Sequence, residues 1–456
     1  MKRKKKELST TQIIMLGFLL LIAIGALLLM MPICSSDGTF TPFLTSLFTA
    51  TTCVCVTGLV VVDTYAHWST IGHIVMLLLI QCGGLGVVTL STYILTLLGQ
   101  KIGLKQRLLL EDALNLDTMS GLLRFIKKVF KGTLIVEGIG AMLYMFVFVP
   151  EMGMKGIWVS VFNAVSAFCN AGIDIIGATS LAVYVDNPLI NITTMLLITI
   201  GGIGFVVWWD VLKVIGMYRR KEVHKRHLWN RLRLHSKIVL VASLGLTLAG
   251  FIFVLLLEWS NPLTLGPLSF TAKLQAAMFQ SVTLRTAGFF TIPQKGLYNS
   301  TAFLCLILMF IGGSPVGTAG GIKTTTAAVL FAAMWSTIKG RSFTAVFGRK
   351  INAATVRKAL SIVLISISAT ILALIIMLTF CEGDFMDLSY EVFSALGTVG
   401  LTRDITSGLN TIGRLLIIMC MYLGRTGPIS LVIALNHINI KKAVLVEYPE
   451  ENITVG

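Results

Sequence analysis

The sequence predicts an all-α integral membrane protein. Four parallel membrane–pore–membrane repeats, with eight transmembrane helices and four re-entrant pore helices, are expected around a pseudo-fourfold ion pore. Three observations carry this reading. The 456 residues have a mean hydropathy of +0.86 and only 13% charged residues, against about 25% in a soluble domain. Eight apolar runs, near 12–33, 71–98, 126–149, 189–217, 237–258, 298–338, 356–380 and 411–438, reach the roughly 20 residues that a helix needs to cross a bilayer. Between the members of each pair lies a short apolar stretch ending in glycine: Val56-Thr57-Gly58, Asn170-Ala171-Gly172, Thr286-Ala287-Gly288 and Thr398-Val399-Gly400, the glycines 114, 116 and 112 residues apart.

The elements follow in order. Residues 1–11 form a basic N-terminal segment. The run 13–33 is too long for the apolar core of a signal peptide and no small-residue cleavage site follows it clearly, so it is expected to remain as a first span. Repeat 1 covers 12–120, repeat 2 121–236, repeat 3 237–355 and repeat 4 356–443, with a tail at 444–456. The stretches 40–56, 156–170, 268–285 and 386–398 are too short to span and read as half-helices that enter the membrane and return.

Charge sets the expected orientation. A net charge of +16 would suggest nucleic acid in a soluble chain, but here the basic residues sit in bands between apolar runs, and no nucleic acid is expected. Lys and Arg number 5 in 2–6, 7 in 101–131, 9 in 213–237, 6 in 339–358 and 2 at 441–442. The opposite-side segments hold Lys155, Lys273, Arg285, Lys295, Arg403 and Arg414 against eleven acids, among them Asp63, Asp174, Asp384, Asp387 and Asp404. By the positive-inside rule both termini are cytoplasmic and the glycine-ended segments open outward. Acids at an outer mouth also concentrate cations there.

The glycine-ended segments suit an ion filter. A potassium ion leaving water needs its hydration shell replaced by oxygens, and backbone carbonyls supply them without formal charge. Aiming consecutive carbonyls at one axis demands backbone angles that glycine adopts at no steric cost. The expected ligands are the carbonyls of Val56, Thr57, Gly58, Asn170, Ala171, Gly172, Thr286, Ala287, Gly288, Thr398, Val399 and Gly400. A single such glycine would more simply end a helix, but four at near-equal spacing favour a ring.

A second marker follows each filter glycine by 25, 29, 24 and 24 residues: Gly83-Gly84-Leu85-Gly86, Gly201-Gly202-Ile203-Gly204, Gly312-Gly313-Ser314-Pro315 and Gly424-Arg425-Thr426-Gly427. No strand precedes these runs and none completes a dinucleotide-binding pattern. Small residues let helices approach closely in lipid, which accounts for the first two copies. The third opens a stretch, 312–326, in which Gly312, Gly313, Ser314, Pro315, Gly317, Thr318, Ala319, Gly320, Gly321 and Lys323 cannot continue a helix. Non-helical backbone at membrane depth is tolerated where it lines water or is buried in protein, so this segment is read as a gate below the filter. Arg425 stands where the other copies carry Gly84, Gly202 and Gly313. A charge at that depth is functional by default, and it is expected at the level of the loop, facing the pore.

Other residues point to less. The eight cysteines are scattered and Cys53-Val54-Cys55 lacks a second pair, so buried thiols rather than a transition-metal site are expected. His224, His227 and His235 lie in a basic loop suited to lipid headgroups or a partner. Glu137 and Asp210 are left without a role. No catalytic triad, carboxylate pair or nucleotide loop is recognisable, so enzymatic activity is not expected.

On the residues Cys55-Val56-Thr57-Gly58-Leu59, Phe168-Cys169-Asn170-Ala171-Gly172, Arg285-Thr286-Ala287-Gly288-Phe289 and Gly397-Thr398-Val399-Gly400-Leu401, the chain resembles the KtrB/TrkH/HKT potassium transporters, from about residue 12 onward. Its short loops are most similar to the bacterial KtrB membrane subunit. The resemblance implies potassium as the ion, with sodium as a second candidate. Members with Ser at the first filter position tend toward sodium, and this chain keeps Gly58. It further implies an intramembrane loop obstructing the pore, a Gly-Arg-x-Gly-Pro segment around Arg425, a homodimer in the bacterial cytoplasmic membrane, and a cytosolic ring of KtrA-type nucleotide-binding subunits. Two readings stay open beside a channel-like pore: an alternating-access secondary transporter, and a membrane sensor or scaffold that transports nothing.

Overall fold

The structure, a computed structural model, describes residues 10–86, 89–90, 92–93, 122–177 and 179–427. It is mostly helical and divides into four units of one plan. An outer helix opens each: α1 (Thr10–Leu29), α4 (Leu122–Met152), α8 (Leu234–Glu258) and α12 (Ala353–Phe380). Among the described residues these are the four single helices long and apolar enough to cross a membrane. Each leaves large apolar side chains such as Leu20, Leu134, Leu256 and Leu372 exposed at 60% or more. That is the composition of a lipid-facing surface.

A short pore helix follows in each unit: α2 (Phe43–Cys55), α5 (Met154–Cys169), α9 (Phe270–Thr283) and α13 (Phe385–Gly397). At about 1.5 Å per residue these reach only part-way across a bilayer. Each is buried along most of its length. The inner helices are α3 (Thr70–Leu85), α6 (Pro188–Ile203), α10 (Asn299–Phe310) and α14 (Thr411–Thr426). Ser69, Asn187 and Asn410 cap α3, α6 and α14 by accepting from first-turn N–H groups.

The packing closes into a ring. Each inner helix lies against the next unit's pore helix: α3 on α5, α6 on α9, α10 on α13, and α14 back on α2. The last contact joins the two ends of the described chain, so the four pore helices surround one axis.

The inner helices depart from the continuous spans expected at 71–98, 189–217, 298–338 and 411–438. α3, α6 and α14 stop at Gly86, Gly204 and Gly427, where φ is 86°, 95° and 84°. With ψ near 131–139°, this backbone region is open essentially to glycine alone. Beyond Gly204 the chain continues as α7 (Phe205–Arg219), bent by 98° from α6. In repeat 3, α10 and α11 (Thr324–Ile338) are separated by the non-helical segment 311–323. The remainders of the first and last inner spans lie wholly or largely outside the described residues, as do the basic segments 2–6 and 441–442.

Asp210 acquires a structural role. Its carboxylate accepts from Arg233 N at 2.9 Å and Ser236 Oγ at 2.6 Å, fixing α7 to the start of α8. Between α11 and α12 a two-stranded hairpin pairs Ala345 with Lys350 and Val346 with Arg349. Its turn at Phe347 and Gly348 has both φ values positive, the tight form that matches strand twist.

Candidate functional site: a ring of four glycine-ended segments

The pore helices α2, α5 and α13 end directly on the first residue of a glycine-ended segment, and α9 ends two residues before it. Val56, Asn170, Thr286 and Thr398 have φ of 55°, 60°, 68° and 51°, all left-handed. For β-branched Val and Thr this is a genuine outlier, roughly 1–3 kcal/mol of strain each, of the kind found at functional sites. Two residues on, Gly58, Gly172, Gly288 and Gly400 have φ of 102°, 65°, 83° and 93°. Positive φ at the first and third residues of a three-residue segment thus recurs four times.

Hydrogen bonding explains why the carbonyls and not the N–H groups are left over. Thr57 N, Ala171 N and Val399 N donate back to Thr52 O, Ser166 O and Ser394 O at 2.8–2.9 Å, and Ala287 N to Thr283 O at 3.0 Å. Gly58 N and Gly400 N donate to Thr52 Oγ1 at 2.9 Å and Ser394 Oγ at 3.0 Å. Ile173 N donates to Ser166 Oγ at 3.1 Å, and in repeat 3 Thr283 Oγ1 donates to Phe289 O at 2.5 Å. Among the described residues, none of the twelve carbonyls of the four segments accepts a hydrogen bond. Buried carbonyls are almost always paired. Eleven of these twelve residues are buried and Gly172 is half-buried, and such a set at one place calls for a cation or its water.

The segments touch head to tail. A Cβ on Gly58 would meet Ala171 O at 2.7 Å, on Gly172 Ala287 O at 2.5 Å, and on Gly288 Val399 O at 2.7 Å. On Gly400 it would collide with Thr57 O. Each glycine thus lies against the middle carbonyl of the next segment, and the fourth returns to the first. The helices ending here add the negative ends of their dipoles. Beside the fourth segment, Arg403 Nε is paired with Asp387 Oδ1 at 2.6 Å, so that guanidinium is neutralised locally.

The second marker braces the ring from outside. Gly83, Gly201 and Gly424 seat their inner helices on Val54 O, Phe168 O and Leu396 O, in the last turn of the same repeat's pore helix. The fourth copy therefore packs like the first two. Repeat 3 differs, because Gly312 lies against Gly320 O and 3.1 Å from Thr286 Cγ2 for an added Cβ.

The segment 311–323 is ordered by bonds to its neighbours. Gly312 N donates to Ile322 O at 2.9 Å and Thr324 N to Gly313 O at 2.9 Å. Ser314 N and Thr318 N donate to Gly202 O and Gly201 O at 2.9 and 3.2 Å, and Phe205 N to Val316 O at 2.9 Å. Ser314 Oγ and Thr324 Oγ1 are 2.9 Å apart, and Lys323 Nζ donates to Ala319 O at 2.7 Å. Gly320 lies against the Thr398 side chain. The loop therefore sits immediately beneath the first residues of the ring.

Arg425 reaches this loop. Its guanidinium donates to Thr318 O on one arm and to Gly83 O and Gly84 O (the latter at 3.1 Å) on the other. Among the described residues it has no carboxylate within ion-pair distance. Its hydrogen-bond partners are backbone carbonyls.

All the filter and loop residues expected from the sequence are thus brought together. Two features were missed. One is the set of braces Thr52, Ser166, Thr283 and Ser394, legible as a Ser or Thr five or six residues before each filter glycine. The other is the break at Gly86, Gly204 and Gly427, legible as a glycine three residues into the marker. Glu137 is buried beside Gln81, whose Nε2 is 3.4 Å from its Oε2, and Cys169, whose Sγ is 3.5 Å from Gln81 Oε1.

Fold and ring together define a class, a membrane transporter built of four pore repeats. The chain matches the family described as TrkH, cation transport protein, over residues 4–442, and it belongs to that family. It is 39% identical over 460 residues to the potassium/sodium uptake protein NtpJ of Enterococcus hirae, covering 100% of this chain and 99% of that one. It is 36% identical over 446 residues to the Ktr system potassium uptake protein B of Bacillus subtilis, covering 98% and 96%. The crystal structure of the potassium transporter TrkH from Vibrio parahaemolyticus shares the fold, with a TM-score of 0.71 at 18% identity over 96% of this chain and 86% of that one.

Proposed function

We propose that this chain carries potassium into a bacterial cell across the cytoplasmic membrane, through a channel-like pore whose filter is the four-glycine ring and whose gate is the loop 312–326. The observation that carries this reading is the set of twelve carbonyls without a protein donor among the described residues, arranged on a closed ring. Carbonyls in such a ring replace a monovalent cation's hydration shell. Entry follows the membrane potential, worth about 2.3 kcal/mol per charge per 100 mV. The names of the relatives support potassium and leave sodium as a second ion. Four repeats packed in one rotational order support a central pore over an inverted-repeat transporter. Both termini on the cytoplasmic side, a homodimer, annular lipids, and regulation by a separate KtrA-type nucleotide-binding ring belong to the same reading. The word "system" in the relatives' names supports a further component.

Complementation tests it. The chain, expressed with a cytosolic Ktr-type partner, should restore growth of a potassium-uptake-deficient bacterium in low potassium, and Gly400→Ser should abolish the rescue. Failure of the parent chain to rescue with the partner present would sink the proposal.

A further inference from the structure

One contact ties the loop to the ring itself. Thr318 Oγ1, fully buried, lies 3.1 Å from Phe168 O and 3.1 Å from the Asn170 carboxamide oxygen. Asn170 is the first residue of the second filter segment, is itself 1% exposed, and leaves its other carboxamide atom without a partner. A hydroxyl carries one proton, so it cannot serve both acceptors. Carboxamide oxygen and nitrogen are assigned from their surroundings. The arrangement that needs only the one hydroxyl proton has the Asn170 amide donating to Thr318 Oγ1 and the Thr318 proton donated to Phe168 O, with the carboxamide oxygen in the position that has no protein partner. In the other repeats the first filter residue is Val56, Thr286 or Thr398, and the Thr286 and Thr398 hydroxyls have no partner. Of the four, only the Asn170 side chain hydrogen-bonds the loop among the described residues.

We propose that Thr318 and Asn170 form a latch between loop and filter, and that displacing the loop frees the Asn170 carboxamide to help hold a monovalent cation at the inner end of the filter. The latch rests on the reading of the loop as a gate. Asparagine suits both roles. It tolerates the left-handed backbone at φ 60° better than most residues, and its carboxamide oxygen is a neutral ligand like the backbone carbonyls above it. The innermost subsite would then exist only when the gate is open. The two groups left behind by Thr318 would exchange a protein partner for an ion or its water.

The test uses the full chain in liposomes, with rubidium tracer uptake as the readout. Thr318→Val keeps the shape and removes the hydroxyl; basal flux should rise roughly fivefold, the worth of one neutral hydrogen bond. Thr318→Ser restores the hydroxyl and should return flux to the parent level. Asn170→Gly keeps the backbone and should raise flux similarly, with the double variant no higher than either single. In an Arg425→Gln background, where the loop is released by other means, Asn170→Gly should lower apparent potassium affinity several-fold while Thr318→Val leaves it unchanged. If Arg425→Gln raises flux and Thr318→Val does not, the latch fails and the gate reading survives. If neither moves, the gate reading fails and takes the latch with it. Additive effects of Thr318→Val and Asn170→Gly would overturn the coupling.

Discussion

Alanine at each of the four filter glycines should damage selectivity in a fixed order, because the ring is not equally tight all round. The nearest heavy atoms to an added Cβ are backbone atoms in every case, so no flexible side chain can yield. At Gly400 the Cβ collides with Thr57 O and lies 2.8 Å from Gly58 Cα. At Gly172 the distances are 2.5 Å to Ala287 O and 2.6 Å to Gly288 Cα. At Gly288 they are 2.7 Å and 2.9 Å, and at Gly58 2.7 Å and 3.1 Å. Positive φ adds roughly 1–2 kcal/mol per residue, and overpacking a further 1–3 kcal/mol. Each substitution thus costs about 2–5 kcal/mol, released by widening the ring. A ring that widens by a few tenths of an ångström loses its match to a dehydrated potassium ion before the fold is lost. Competition of sodium against rubidium uptake in liposomes reads this directly. The expected order of lost discrimination is Gly400→Ala, then Gly172→Ala, Gly288→Ala, and mildest Gly58→Ala. Unchanged selectivity in Gly400→Ala, or a Gly58→Ala more damaged than Gly400→Ala, would refute the steric argument.

The other predictions concern the gate and its supports. Arg425→Gln removes the charge-assisted bonds to Thr318 O, Gly83 O and Gly84 O and should raise basal rubidium flux at least tenfold, at roughly 1.5–3 kcal/mol per charged hydrogen bond; flux equal to the parent would count against it. Gly204→Ala places a Cβ 2.5 Å from Pro315 O at φ 95°, so it should displace the loop and also raise flux, with ion selectivity unchanged. Asp210→Ala strips Arg233 N and Ser236 Oγ of their acceptor and should lower stability by about 1–2 kcal/mol, visible as a lower melting temperature in detergent, without altering the sodium-to-rubidium ratio.

How much of this was legible depended on whether a signal repeats. Four glycines at intervals of 114, 116 and 112 expose the ring because each copy supports the others, and the glycine-rich run after Gly312 exposes the loop because no helix tolerates it. The break at Gly86, Gly204 and Gly427 repeats as well. It was hidden because hydropathy runs straight through it, and apolar residues on both sides read as one span. Asp210 was opaque for another reason. A lone acid in an apolar run has no periodic partner in the sequence, and the groups that satisfy it, Arg233 N and Ser236 Oγ, lie 23 and 26 residues away. The Thr318 contacts, across 150 and 148 residues, were equally beyond reach.

The position of Arg425 follows from what the loop lacks. A non-helical stretch at membrane depth exposes carbonyls that no helix ladder satisfies, and the ends of the broken inner helices expose more. Three of these, Thr318 O, Gly83 O and Gly84 O, converge on Arg425. A carboxylate there could not donate, and a lysine offers a point charge. The planar fork of a guanidinium can bond two segments at once. The same carbonyls would also suit a cation in transit. If the loop is the gate proposed above, Arg425 would both hold it closed and occupy oxygens that a passing cation would use, so mechanical and electrostatic obstruction would come from one side chain.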